Sequence, residues 1–180
     1  GVAVEGLAGQ VLRRLESSED KVNAGFGDAP KFPPHETLRL LLAHPEEGNP
    51  ELATRTLVSM ARGGLRDQLG GGFARYSVDA AWRVPHFEMM LYDNAAMLRN
   101  YAAAYRYNQA LGFRDVAYEV AGWLMRELAF DPAAPDRSLG FAAPARHAEG
   151  PELPAQIGFH SALDADQDGK EGEYYVWTEE

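Results

Sequence analysis

Residues 82 to 94 read WRVPHFEMMLYDN and bring an imidazole, two carboxylates and several aromatic rings into one short stretch. His86 carries a side chain that ordinarily titrates near neutrality, the property that a general acid or base needs. Pro85 reads as a helix opener, and a helix from about His86 to Tyr107 follows from the apolar stripe Phe87, Met90, Leu91, Leu98, Tyr101, Ala102 and Tyr105. On that helix His86 and Asp93 are seven residues apart and nearly superposed, with Met89 and Asn100 close to the same stripe, while Glu88 and Tyr92 point roughly the other way. His86, Asp93 and Asp79 are then the candidates for proton transfer. Arg75, Tyr76, Trp82, Glu88 and Tyr92 are candidates for holding a substrate, the rings acting as stacking platforms. The competing reading is structural: Glu88 favours the positive end of the helix dipole, and His86 and Asp93 pair with loop backbone.

Two further groups invite chemistry. Lys31 lies in APKFP between stiff prolines, where its amine would reach an anionic group of a substrate or simply snorkel at the surface. DADQDG places Asp164, Asp166, Asp168 and Gly169 at the first, third, fifth and sixth positions of a calcium loop, but position twelve is Tyr175 instead of a bidentate Glu, so an EF-hand is excluded. Asp164 and Asp166 are retained as substrate-binding candidates, and a weak cation site using Glu171 or Glu173 stays open. The five histidines lack the spacing of a helical zinc pair. Gly70 to Gly72 are not followed by the signature of a phosphate loop and serve a tight turn. Neither a metal nor a cofactor is called for.

The elements that must carry these residues are mostly helices. Val4 to Leu15, the run HETLRLLL after Pro34, PELATRTLVSMAR after Asn49, and Leu111 to Leu128 each show an apolar face at helical period. The alternation Phe73, Arg75, Tyr76, Val78 suits a small β-ribbon, and Tyr174 to Trp177 a strand. Residues 131–157, rich in Pro, Ala and Gly, read as a long loop insertion. The opening GVAVEG and the closing Thr178-Glu-Glu, which has the composition of a helix start, suggest that both ends are cut.

The 180 residues, 46% of them hydrophobic, are enough for one domain with a buried core. Seventeen Lys and Arg against 27 Asp and Glu leave a net charge of −10, which disfavours nucleic acid and anionic membranes as partners. The chain has no cysteine, so it forms neither disulfide nor thiolate site. It has no apolar run long enough to span a bilayer. A cytoplasmic location is the expectation.

Three blocks, GFGDAPKFP, GGLRDQLGGGFARYSVDAAWRVPHFEMMLYDNA and GFHSALDADQDGKEGEYYVW, together resemble the YyaL-like, thioredoxin-domain-containing proteins, also called the spermatogenesis-associated family. The resemblance covers about residues 24 to 177. It implies an all-α fold, in which residues 1–180 form the first half of a six-hairpin (α/α) toroid like those of sugar epimerases and six-hairpin glycosidases. A thioredoxin-like domain precedes that toroid in the full-length family chain. Half a toroid leaves ring-lining helices without partners, so self-association of the fragment is expected. The implied function is a carbohydrate-binding cleft that isomerises or hydrolyses a sugar. From a different class, the alternative is a non-catalytic toroid that presents protein or peptide to the thioredoxin-like domain. Two positions depart from the family pattern: Met89, where lysine is usual, and Ala74, where histidine is usual.

Overall fold

A computed structural model describes residues 4–45, 50–138, 156–167 and 169–172. Among them are five α-helices: α1 (Val4–Ser17), α2 (His35–Ala43), α3 (Pro50–Arg62), α4 (Leu91–Tyr107) and α5 (Phe113–Trp123), the last running on as a single π-helical stretch, Leu124–Leu128. The strands are short, so the chain is mainly α among the described residues. Each helix forms where an apolar stripe finds a partner. Leu38 and Leu41 of α2, Leu52, Leu57 and Met60 of α3, Met97, Tyr101 and Ala104 of α4, and Val116, Val120 and Trp123 of α5 meet in one core. α4 is its spine, packing on α2, α3 and α5. Tyr101, fully buried, donates its hydroxyl to the Leu57 carbonyl, and burial pushes the phenol's pKa far up.

The expected helix from His86 is corrected. Pro85–His86 and Met89–Met90 are short strands, and α4 starts only at Leu91. β1 (Tyr76–Ser77) pairs antiparallel with β2 (Pro85–His86), and β3 (Met89–Met90) pairs with β7 (Ala162–Leu163). The Arg75 amide also donates to the Glu88 carbonyl. The helical period in the side chains is real, but these ladders from distant segments take the backbone groups that a first helical turn would have used. Pro85 therefore sits in a strand, and the β-ribbon expected over Phe73 to Val78 has β2 as its second strand. The Leu111 to Leu128 expectation becomes a 3₁₀ turn (Gln109–Leu111) followed by α5 and its π-helical end.

The insertion expected over 131–157 opens with β-structure. β4 (Ala129–Asp131) is flanked by β5 (Ala134–Ser138) and β6 (Gly158–Phe159), and β8 (Asp166–Gln167) with β9 (Lys170–Glu171) makes a hairpin. The expected strand over Tyr174 to Trp177 and the helix start at Thr178 lie outside the described residues.

Trp82 fastens the loops to the helices. It is fully buried with a left-handed backbone (φ 63°), costly for an aromatic residue and sustained only by surrounding contacts. Its indole N–H donates to the Asn23 and Ala24 carbonyls, and its own carbonyl accepts from Leu65. Gly63 has no room for a Cβ because the Trp82 carbonyl lies there, and at Gly25 (φ 81°) the Trp82 ring itself fills the space. Lys31 places its ammonium 5.1 Å from the Trp82 ring centre, bonds Asp20 at 2.6 Å and donates to the Ala80 carbonyl at 3.2 Å. Lys31 is thus neither a snorkelling surface residue nor open to a substrate, since its side chain is 0% exposed.

The Lys31 ammonium, with two amides and the Asn23 side chain, holds the Asp20 carboxyl far below the usual carboxylate range, against the opposing effect of burial. A carboxyl with a lowered folded-state pKa stabilises the fold above its unfolded value and stops doing so as pH falls through the folded one. Asp20→Asn is therefore expected to cost about 3 kcal/mol at neutral pH, because it strands a buried ammonium. Lys31→Met, alone or combined with Asp20→Asn, should cost less than Asp20→Asn alone. Urea unfolding of the three variants checks this ranking, and Asp20→Asn should also flatten the loss of stability that the parent shows below about pH 4.

Candidate functional site

The three sequence blocks converge at the end of the bundle where α2 and α4 begin. Lys31 exchanges backbone hydrogen bonds with Ser77, Met89 pairs with Leu163, and His86 meets Glu171. Strand geometry then sets the site. His86 ends β2 and Glu88 follows two residues on, before β3, and their side chains come together on one side. The helical expectation had separated them.

His86 Nδ1 lies 2.7 Å from Glu171 Oε1, and His86 Nε2 lies 4.0 Å from Glu88 Oε2. A carboxylate at Nδ1 is an acceptor, so Nδ1 carries a proton, and in the neutral ring Nε2 keeps its lone pair. Glu88 in turn takes a 2.7 Å bond from Arg75, and that partner, reinforced by the charges of Tyr92 and Asp93, raises the guanidinium pKa further. His86 keeps 26% of its side chain exposed and Arg75 40%, so both reach solvent. The imidazole stacks on Tyr76 at 4.7 Å, and Tyr76 stacks on Phe32 at 4.7 Å. Phe32 remains 52% exposed and Tyr92 54%. Beside the site a cleft of about 270 Å³ is lined by Leu65, Leu69, Ala74, Pro85, Phe87 and Met89 among others. Arg66, Asp67 and Gln68 also line it, so its wall mixes apolar and polar side chains.

The remaining candidates fall elsewhere. Asp93 is not stacked over His86; it is buried in the first turn of α4 and lies 3.0 Å from His35 Nε2. Asp79 caps a turn, accepting the amides of Ala81, Arg83 and Val84. Burial raises its pKa, and those three amides more than reverse the effect and leave it below the ordinary value. Trp82 has no exposed face for a sugar, and Tyr76 already carries a ring partner on either side in sequence, Phe32 and His86. Asp164 is exposed and accepts from the Asp166 amide, while Asp166 pairs with Glu171 across the β8–β9 hairpin. Asp168 lies outside the described residues, and among those described there is no group of three or more His, Asp or Glu placed to hold a metal ion. Nor is any described helix long and apolar enough to cross a membrane.

Glu171, Phe32 and His35 were not candidates for this chemistry. Glu171 is 85 residues from its histidine, so no local spacing marks it; Phe32 carried a signal, an aromatic residue held between prolines, that was spent on its neighbour Lys31.

The chain is 36% identical to human spermatogenesis-associated protein 20 over 93% of its length, and 33% identical to the mouse protein of that name over the same share. The chain belongs to the spermatogenesis-associated family. It spans 20% of the length of each of these relatives. Half of it is also 40% identical to an uncharacterized protein of Caenorhabditis elegans, of which it covers 14%. No family model matches the chain.

Because Asp79 holds three amides of the loop that carries Trp82, Asp79→Ala is expected to destabilise by about 1–2 kcal/mol while Asp79→Asn, which keeps one acceptor oxygen, costs less. Thermal unfolding distinguishes this turn-holding role from a catalytic one, in which the two variants would melt like the parent.

Proposed function

We propose that this family member carries a carbohydrate-binding cleft in which His86 transfers protons, as a sugar epimerase or isomerase does when it shifts a hydrogen next to a carbonyl. The observation that supports the reading is the placement of one imidazole between two carboxylates of different standing. Glu171, hydrogen-bonded at Nδ1, orients the ring, as the acid of a catalytic dyad does for its histidine. Glu88 is tied to Arg75 and stands too far from Nε2 for a hydrogen bond, leaving that nitrogen open to abstract a proton.

Arg75 is the group that steadies negative charge on a carbonyl oxygen as the proton leaves, donating from the N–H groups that Glu88 does not use. The exposed ring of Phe32 and the ring of Tyr92 are the surfaces on which a pyranose face stacks, in place of Trp82. The neighbouring cleft, lined by Leu65, Phe87 and Met89 with Arg66, Asp67 and Gln68, is the space offered to the rest of the ligand.

The test uses a panel of aldoses, ketoses and disaccharides with the intact protein, following hydrogen exchange into the sugar from deuterated water. His86→Gln should abolish exchange with the fold intact. Glu171→Gln should lower kcat by about 100-fold and leave KM nearly unchanged, since it acts on the base and not on the ligand. Exchange that persists in His86→Gln would overturn the assignment.

A further inference from the structure

The imidazole of His86 stands at the end of a row of rings that the backbone register lays side by side. Lys31 and Ser77 pair antiparallel and exchange both main-chain hydrogen bonds, at 2.7 and 2.9 Å, which sets Phe32 opposite Tyr76. On its other edge β1 sets Tyr76 opposite His86. Directly opposed residues of neighbouring strands project from one face, so Phe32, Tyr76 and His86 form the row, while Lys31 and Ser77, both buried, turn to the other face. Ring centres are 4.7 Å apart at each step, with planes inclined by 30° between Phe32 and Tyr76 and by 16° between Tyr76 and His86. Neighbouring strands are spaced by about 4.8 Å, so the rings stack because the strands do.

What the other contacts leave undone defines the part of the middle ring. The χ2 torsion of a histidine is broad and roughly two-fold, so its backbone alone does not decide which nitrogen points where. The Glu171 bond holds one ring atom, Nδ1, and comes from a carboxylate that is 49% exposed on the two-residue strand β9. An exposed pair of this kind holds its partners only weakly. A hydrogen bond fixes a point; a face-on contact fixes a plane. The Tyr76 ring lies along the imidazole and blocks the swing that would carry the imidazole edge through it. Tyr76 cannot retreat, because Phe32 backs its other side.

We propose that Tyr76 is the positioning residue of His86: stacked between Phe32 and the imidazole, it fixes the ring plane in which Glu171 reaches Nδ1 and Nε2 stays open. The effect on turnover rests on the proton-transfer reading of His86; the positioning itself does not. Tyr76 acts through its ring and not its hydroxyl, and with a ring on each side it has no free face on which a sugar could stack. Phe32, adjacent to Lys31 in the chain, ties the row to the buried Lys31–Trp82 contact, so the base is held by the same core that anchors the ribbon.

The experiment reads the tautomer of the neutral His86 ring by two-bond ¹⁵N–¹H correlation in the intact protein without sugar, and separately the hydrogen exchange into the sugar panel. The variants are Tyr76→Leu, Tyr76→Phe and Phe32→Leu, with the amide spectrum as the control for folding. Tyr76→Leu is expected to turn the Nδ1–H pattern into a mixture of tautomers, and to lower kcat about tenfold with KM within a factor of about two. Tyr76→Phe keeps the ring and should retain the parent's tautomer and kcat. Phe32→Leu, at a half-exposed position, should give a weaker form of the same tautomer change, and it decides the matter alone if Tyr76→Leu does not fold. A His86 pattern unchanged in both leucine variants overturns the positioning role. So does a Tyr76→Phe protein as impaired as Tyr76→Leu, which would assign the work to the hydroxyl, or a Tyr76→Leu protein with raised KM and the parent's tautomer, which would make Tyr76 a ligand contact. No exchange in the parent, together with the tautomer change in Tyr76→Leu, overturns the proposed function and supports the positioning.

Discussion

The site depends on the burial of Trp82. One residue joins the loop of residues 20–31, the end of α3 and the ribbon that carries His86: its indole bonds Asn23 and Ala24, packs at Gly25 and lies under the Lys31 ammonium, and its carbonyl lies against Gly63. Its left-handed backbone is unfavourable in isolation, so these contacts must outweigh the strain. Lys31 belongs to the same knot: its charge is tolerable inside only because Asp20 lies at 2.6 Å and the Ala80 carbonyl and the ring take up the rest of its field.

From that knot the ribbon geometry follows. Lys31 pairs by backbone with Ser77, Ser77 with Pro85, and Tyr76 with His86, so the position of the imidazole is set by a chain of main-chain bonds that starts at the buried lysine. Phe32, next to Lys31, is thereby laid on Tyr76, and Tyr76 on His86. On the other side the β8–β9 hairpin delivers Glu171. An overall charge of −10 gives an acidic surface, and the local cations are absorbed by named partners: Lys31 by Asp20, Arg75 by Glu88, Arg55 by Glu19.

The sequence made the helices legible because each carries its own apolar stripe, a local property: α2, α3, the body of α4 and α5 lie where the periodicity places them. It misled over residues 85–90, where a helical stripe coexists with strand pairing to Ser77, Tyr76 and Leu163, partners that no local window contains. The error propagated to the site, since a period of 3.6 pairs His86 with Asp93 whereas the two short strands bring it to Glu88 and Glu171. The family resemblance pointed to the right regions without their internal contacts: Lys31 and Trp82 of its blocks build the knot, and burial, which makes them structural, is invisible in a list of residue types. Glu171 and His35 were out of reach because their partners lie 85 and 58 residues away.

The account turns on the state of one imidazole. If the ribbon and the β8–β9 hairpin place His86 as described, Glu171 holds a proton on Nδ1, and the neutral ring of His86 is the Nδ1–H tautomer with the lone pair on Nε2. Two-bond ¹⁵N–¹H correlation spectra of the histidine side chains read this directly. A His86 pattern with the lone pair on Nε2, reverting to the ordinary tautomer mixture in Glu171→Ala, is the expected result; an Nε2–H tautomer indifferent to that substitution would contradict the account.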